Sequence, residues 1–89
     1  MRHELKIWTG YISAIVEGWK RHEIRKADRD FKVGDELLLR EWDPKTEKYT
    51  GKQVLVVITY ISSGDWGIPL DTVVMSIRVE KWALVNHLI

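Results

Sequence analysis

Gly18-Trp19-Lys20-Arg21-His22-Glu23-Ile24-Arg25 reads G-x-K-x-x-E-x-R and falls where a short helix hands over to a strand. Upstream, residues 9–17 place Ile12, Ile15 and Val16 on one helical face. Thr9 is the expected N-cap, and Gly18 supplies the left-handed residue that stops such a helix. About two turns cannot stand alone in water, so the helix must pack on a sheet. Downstream, residues 21–26 read as a strand. Parity puts Glu23 and Arg25 on one face and His22 and Ile24 on the other. With Ile24 assigned to the core, Glu23 and Arg25 turn away from it, toward solvent or a cleft. Lys20 has the wrong parity to join them and belongs to the turn after Gly18, from which its long stem reaches the same side.

Working outward, residues 3–8 alternate, with Leu5 and Ile7 on one face and Glu4, Lys6 and Trp8 on the other. A charged connection over 27–31 leads to the tight turn Val33-Gly34-Asp35, where glycine allows positive φ. Residues 36–42 form a strand that Asp43-Pro44 ends, because proline cannot continue a ladder. Residues 45–51 make a polar hairpin loop. The longest strand follows over 52–61, apolar on both faces from Val54 to Ile58 as a central strand is. Residues 62–71 form a loop with Trp66 and Ile68 as plugs. Residues 72–80 alternate again, Val73, Met75, Ile77 and Val79 facing in. In the tail, residues 81–89, Trp82, Val85 and Ile89 recur at helical spacing, which fits a short helix closing the barrel or a dimerisation patch. Trp19 and Trp82 are expected to fill core. The sum is an α+β fold, a small, partly closed, mixed β-barrel of five to six strands with one or two flanking helices.

Eighty-nine residues make a single domain over 1–89. There is no cysteine, which excludes disulfides, thiolate metal sites and cysteine nucleophiles and fits a reducing cytoplasm. No apolar run approaches the roughly 18 residues of a membrane span, and the charged start, Met1-Arg2-His3-Glu4, lacks the apolar region of a signal peptide. His3, His22 and His87 are too scattered for a metal site, and no metal or cofactor is expected. Net charge is only +1, but Lys20, Arg21, Arg25, Lys26, Arg29 and Lys32 outnumber Glu23, Asp28 and Asp30 around the opening motif.

Lys20, Glu23 and Arg25 are the candidate chemical group. A lysine beside an apolar helix can act as a base, a neighbouring carboxylate can hold it or shuttle a proton, and an arginine fork suits phosphate or a base carbonyl. The bland alternative is an ion-pair network clamping helix to strand. Trp8, on the polar face of its strand just before the helix, is placed either to border a pocket and stack a base or to fill core.

These residues give the chain a resemblance to the ASCH domains, a PUA-like superfamily with a small β-barrel and helices beside a cleft. The signature G-x-K-x-x-E-x-R is matched at Gly18, Lys20, Glu23 and Arg25. The chain is similar over residues 3–78 to small bacterial and phage-borne ASCH-like proteins. Stretches that carry this likeness are His3-Glu4-Leu5-Lys6-Ile7-Trp8, Asp28-Arg29-Asp30-Phe31-Lys32-Val33-Gly34-Asp35 and Leu39-Arg40-Glu41-Trp42-Asp43-Pro44. The resemblance implies binding of RNA or a nucleotide in the signature cleft. The expected contacts are Lys20 and Arg25 on phosphate or carbonyl, Glu23 on a base amine or orienting Lys20, Trp8 stacking, and Lys26 and Arg29 along the backbone. Some ASCH relatives hydrolyse an acetylated cytidine through a lysine and a threonine of the signature, and some cleave RNA. Here Glu23 stands in the threonine position, which argues against a threonine nucleophile. A small enzyme using Lys20 and Glu23 is the alternative, and a non-catalytic interaction domain that dimerises through its tail is a further one.

Overall fold

Two long antiparallel strands shape the molecule. The computed structural model describes residues 1–83 and contains β1 (Arg2–Trp8), helix α1 (Tyr11–Val16), β2 (His22–Lys26), β3 (Glu36–Asp43), β4 (Lys48–Ser62) and β5 (Thr72–Ala83). The strands form one sheet in the order β1-β3-β4-β5-β2. Among the described residues only β1 and β3 pair in parallel; the other neighbours are antiparallel. β4 slips register against β5 between Leu55 and Val56 and again between Ile58 and Tyr60. Each slip bends and further twists the ribbon, so the sheet curls into a half-barrel whose edges are β1 and β2. The fold is therefore mostly β, with five strands and one six-residue helix among the described residues.

The concave face holds the core. Leu5 and Ile7 of β1, Leu37 and Leu39 of β3, Val54, Val56 and Ile58 of β4, and Val73, Met75 and Ile77 of β5 form one buried cluster. Ile12 and Ile15 of α1 join it, so the helix plugs the inside of the curl. Each such side chain stabilises the fold by about 1.5–3 kcal/mol relative to leaving it in water. Leu38 and Leu55 are buried on the other face, consistent with the two-sided apolar pattern of β4.

Several local expectations change. The N-cap of α1 is Gly10, not Thr9, and no side chain caps the helix. Gly10 adopts φ 98°, a left-handed conformation closed to most other residues. β4 starts at Lys48 rather than at 52, which shortens the loop, and it carries a bulge opposite Glu41 where Gly51 has φ 97°. Thr50 fastens that bulge by donating its hydroxyl to buried Glu41 at 2.8 Å. Four of the five tryptophans are exposed outside the core: Trp19 is 82% exposed, Trp66 fully so, Trp8 and Trp82 by half or more. The core is already filled by aliphatic side chains, which leaves no volume for indoles. Ile68 is half-buried. The tail does not begin as a helix, because residues 81–83 extend β5; the remainder of the expected tail helix or dimer patch lies outside the described residues.

Candidate functional site

The sheet does not close, and the open seam is where the signature lies. Among the described residues β1 and β2 are the edge strands, each with one paired side, and they approach one another across a shared cavity. One side chain bridges the seam: Arg25 Nη2 donates to the Lys6 carbonyl at 2.6 Å. A guanidinium thus partly replaces a missing strand-to-strand ladder.

The face that β2 turns inward is opposite to the one expected from Ile24. Glu23 is 4% exposed, whereas Ile24 is 57% exposed. The register with β5 explains this. Glu23 pairs with Met75 and Arg25 with Val73, both buried, while Ile24 pairs with Val74. Cross-strand partners share a face, so β5, with its four inward apolar residues, dictates the orientation of β2, with its single isoleucine. Glu23 and Arg25 still share one side, but it is the inner side at the mouth of the half-barrel.

Burying a carboxylate there requires partners. Lys20, in the turn after Gly18, donates to Glu23 Oε1 at 2.8 Å, and Arg25 Nε donates to Oε2 at 2.6 Å. Lys20 also donates to the His22 carbonyl. Gly18 permits this arrangement: at φ 84° it lets the amides of Trp19 and Lys20 both return to the Ala14 carbonyl, which swings the lysine back toward β2. Both oxygens of Glu23 are occupied, so the carboxylate holds the two cations in place. What faces outward is donor-rich. Lys20 keeps a third N–H and Arg25 keeps its Nη1 group and one Nη2 hydrogen, counted from their full complements.

These groups line a cavity of about 460 Å³ together with Lys6, Ile7, Trp8, Tyr11, His22 and Ile24. Trp8 is 61% exposed at its wall. The Lys20 ammonium lies 5.7 Å from the Tyr11 ring centroid, within cation–π range. A second cavity, of about 480 Å³, adjoins the first through Lys6 and Arg25 and contains Lys26 and Arg29. All six expected site residues therefore lie along one continuous seam: Lys20, Glu23, Arg25 and Trp8 in the first cavity, Lys26 and Arg29 in the second. Lys6 and Tyr11 were not expected. The parity of β1 carried the signal for Lys6, since it shares the face of Trp8; nothing local marked Tyr11.

A separate polar cluster anchors the start of β1. Asp35 Oδ2 accepts from His3 Nε2 at 2.8 Å and from the Lys32 amide at 3.1 Å, while Oδ1 accepts from the Met1 ammonium at 3.1 Å. The His3 hydrogen bond leads in pulling the Asp35 carboxyl from 3.8 down to about 2, against burial, which pushes it up. His3 stacks at a tilt on Phe31, with ring centroids 4.7 Å apart. Among the described residues, no three His, Asp or Glu side chains gather as a metal site, and no helix is long and apolar enough to cross a membrane.

Comparison with known proteins adds a lineage. An uncharacterised 12.9 kDa protein of Escherichia phage P2, encoded in the GpA 3′ region, is 40% identical over 65 residues, which cover 72% of this chain. The match spans 58% of that phage protein's length. The domain of unknown function DUF3850 matches residues 2–77, a span that takes in all of β1, α1, β2, β3 and β4 and the signature. The chain therefore belongs to the DUF3850 family.

Proposed function

We propose that this chain is an ASCH-type, PUA-like domain that binds RNA or a nucleotide in the seam between β1 and β2. The observation that carries the reading is the clamp on Glu23. A buried carboxylate fixes Lys20 and Arg25 side by side at 2.8 and 2.6 Å and leaves their remaining donors facing a cavity large enough for a nucleotide. Such preset donors favour a phosphate or a base carbonyl, and exposed Trp8 beside them offers a face for stacking. Lys26 and Arg29, exposed along the second cavity, extend the positive track for a backbone. The absence of cysteine fits a cytoplasmic setting.

The test is titration of the chain with labelled RNA and with mononucleotides. Lys20→Ala combined with Arg25→Ala should abolish binding, and the wild-type affinity should fall as salt rises. An intact wild type that binds neither would end the reading. The 2.8 Å contact between Lys20 and Glu23 also suits proton transfer, so a small enzyme acting on RNA or a modified nucleoside is the second reading. Incubation with RNA and with acetylated cytidine separates the two, since products that form with the wild type and vanish in Lys20→Ala would favour turnover.

A further inference from the structure

Beyond the signature cavity, the outer face of β1 continues onto β3 and β4 as a ladder of rings and cations. Lys6 pairs in register with Arg40, and Trp8 with Trp42; Trp42 in turn pairs with Tyr49 across β3 and β4. The Lys6 ammonium lies 3.9 Å above the Trp42 ring centroid, and the Arg40 guanidinium 3.9 Å from that of Tyr49. Trp42 and Tyr49 meet edge to face, centroids 5.2 Å apart. Glu4 holds Arg40 at 3.3 Å. The rings are thus fixed by their neighbours while Trp8 and Tyr49 stay exposed.

This ladder is continuous with the cleft. Lys6 and Trp8 line the first cavity, and Lys6 and Tyr49 line the second. From Trp8 to Tyr49 the path crosses two strand spacings of ~4.8 Å, or ~10 Å in all, further than one base reaches. Charge points the same way. The two cavities and Arg40 assemble six cations against Glu4, Glu23 and Asp28, although the whole chain nets only +1. Positive charge interleaved with fixed, exposed rings along an open surface is the chemistry that grips a single-stranded polynucleotide, whose bases are free to stack and whose phosphates track the cations.

We infer that the ligand is a single strand several nucleotides long, gripped by the cleft at one point and by Trp42 and Tyr49 at the next. This inference rests on the cleft being a nucleic-acid site, as proposed above. The test compares uridine monophosphate, an oligouridylate of about six nucleotides, the DNA strand of the same sequence and an RNA duplex, at fixed salt, by fluorescence anisotropy or calorimetry. The oligonucleotide should bind at least ten-fold more tightly than the mononucleotide. Trp42→Leu and Tyr49→Leu should each cost roughly ten-fold in oligonucleotide affinity and distinctly less in mononucleotide affinity. Trp42→Phe and Tyr49→Phe should restore most of the loss, and thermal unfolding of the Leu variants reports separately whether the fold itself has weakened. Equal affinity for the DNA strand also supports the ladder, because stacking does not read the sugar. Oligonucleotide and mononucleotide binding alike, duplex binding as tight as the single strand, or Leu variants without effect would each overturn the inference. If mononucleotide binding then still depends on Lys20 and Arg25, the cleft reading survives; if nothing binds, both fail.

Discussion

The β3-β4-β5 meander and the two outer strands solve different problems with different residues. In the meander each strand has a ladder on both sides, interrupted only by bulges, and Val54, Val56 and Ile58 of β4 with Val73, Met75 and Ile77 of β5 point inward as apolar residues. β1 and β2 have one ladder each, and toward the seam they carry Lys6, Glu23 and Arg25. The meander is held by burial; at the seam Lys20 and Arg25 make four charge-assisted hydrogen bonds, of which the one to the Lys6 carbonyl crosses from β2 to β1. Charged side chains are thus concentrated where the backbone ladder ends.

That division can be broken at its strong end first. Leu39→Ala, at a fully buried position of β3, should cost about 2–5 kcal/mol in denaturant unfolding; a loss below 1 kcal/mol would mean that the meander is not the stabilising core. Glu23→Gln keeps the shape but removes the charge between Lys20 and Arg25. About 1–3 kcal/mol of stability should disappear, together with any ligand binding. If stability falls and binding persists, the clamp is structural alone.

A smaller effect is confined to acid. Asp35 has its carboxyl lowered from 3.8 to about 2, so between these values the unfolded chain binds the proton that the folded chain does not. Its contribution is complete above about pH 4 and is lost as pH falls toward 2. Urea midpoints measured across that window should drop less steeply in Asp35→Asn than in the wild type. The smallest effect separates the two possible orientations of β2. Ile24→Thr should change stability by no more than about 0.5 kcal/mol, since the side chain is exposed; a loss typical of a core position would restore the opposite parity.

The sequence made legible whatever a dense pattern repeats. Four inward apolar residues set the face of β5, the alternation of Leu5 and Ile7 with Glu4, Lys6 and Trp8 set that of β1, and Gly18 marked the end of the helix. Ile24 misled because one isoleucine in a five-residue strand is weak information beside a partner with a strong pattern. Trp19 and Trp66 misled because hydrophobicity alone does not say whether the core has room. The parallel pairing of β1 with β3 left no local mark, since the partner lies more than thirty residues away. The cavity-lining residues read from the sequence lie close together in the chain from Lys20 to Arg29, with Trp8 from β1, whereas Lys6 and Tyr11, which line the first cavity as well, were not read.

The unequal reach of these pairings has a kinetic consequence. β3, β4 and β5 follow one another and meet through short connections, whereas Arg2 must find Glu36 and His22 must find Ser76. Loop closure slows such distant contacts, so the meander is expected to assemble first and the walls of the cleft to dock afterwards on its two flanks. Local opening should run in reverse, and amide exchange should be slower at Val54–Ile58 than along β1 and β2. A ligand that spans both walls would then act as a late folding contact, tying down the parts of the chain that arrive last and leave first.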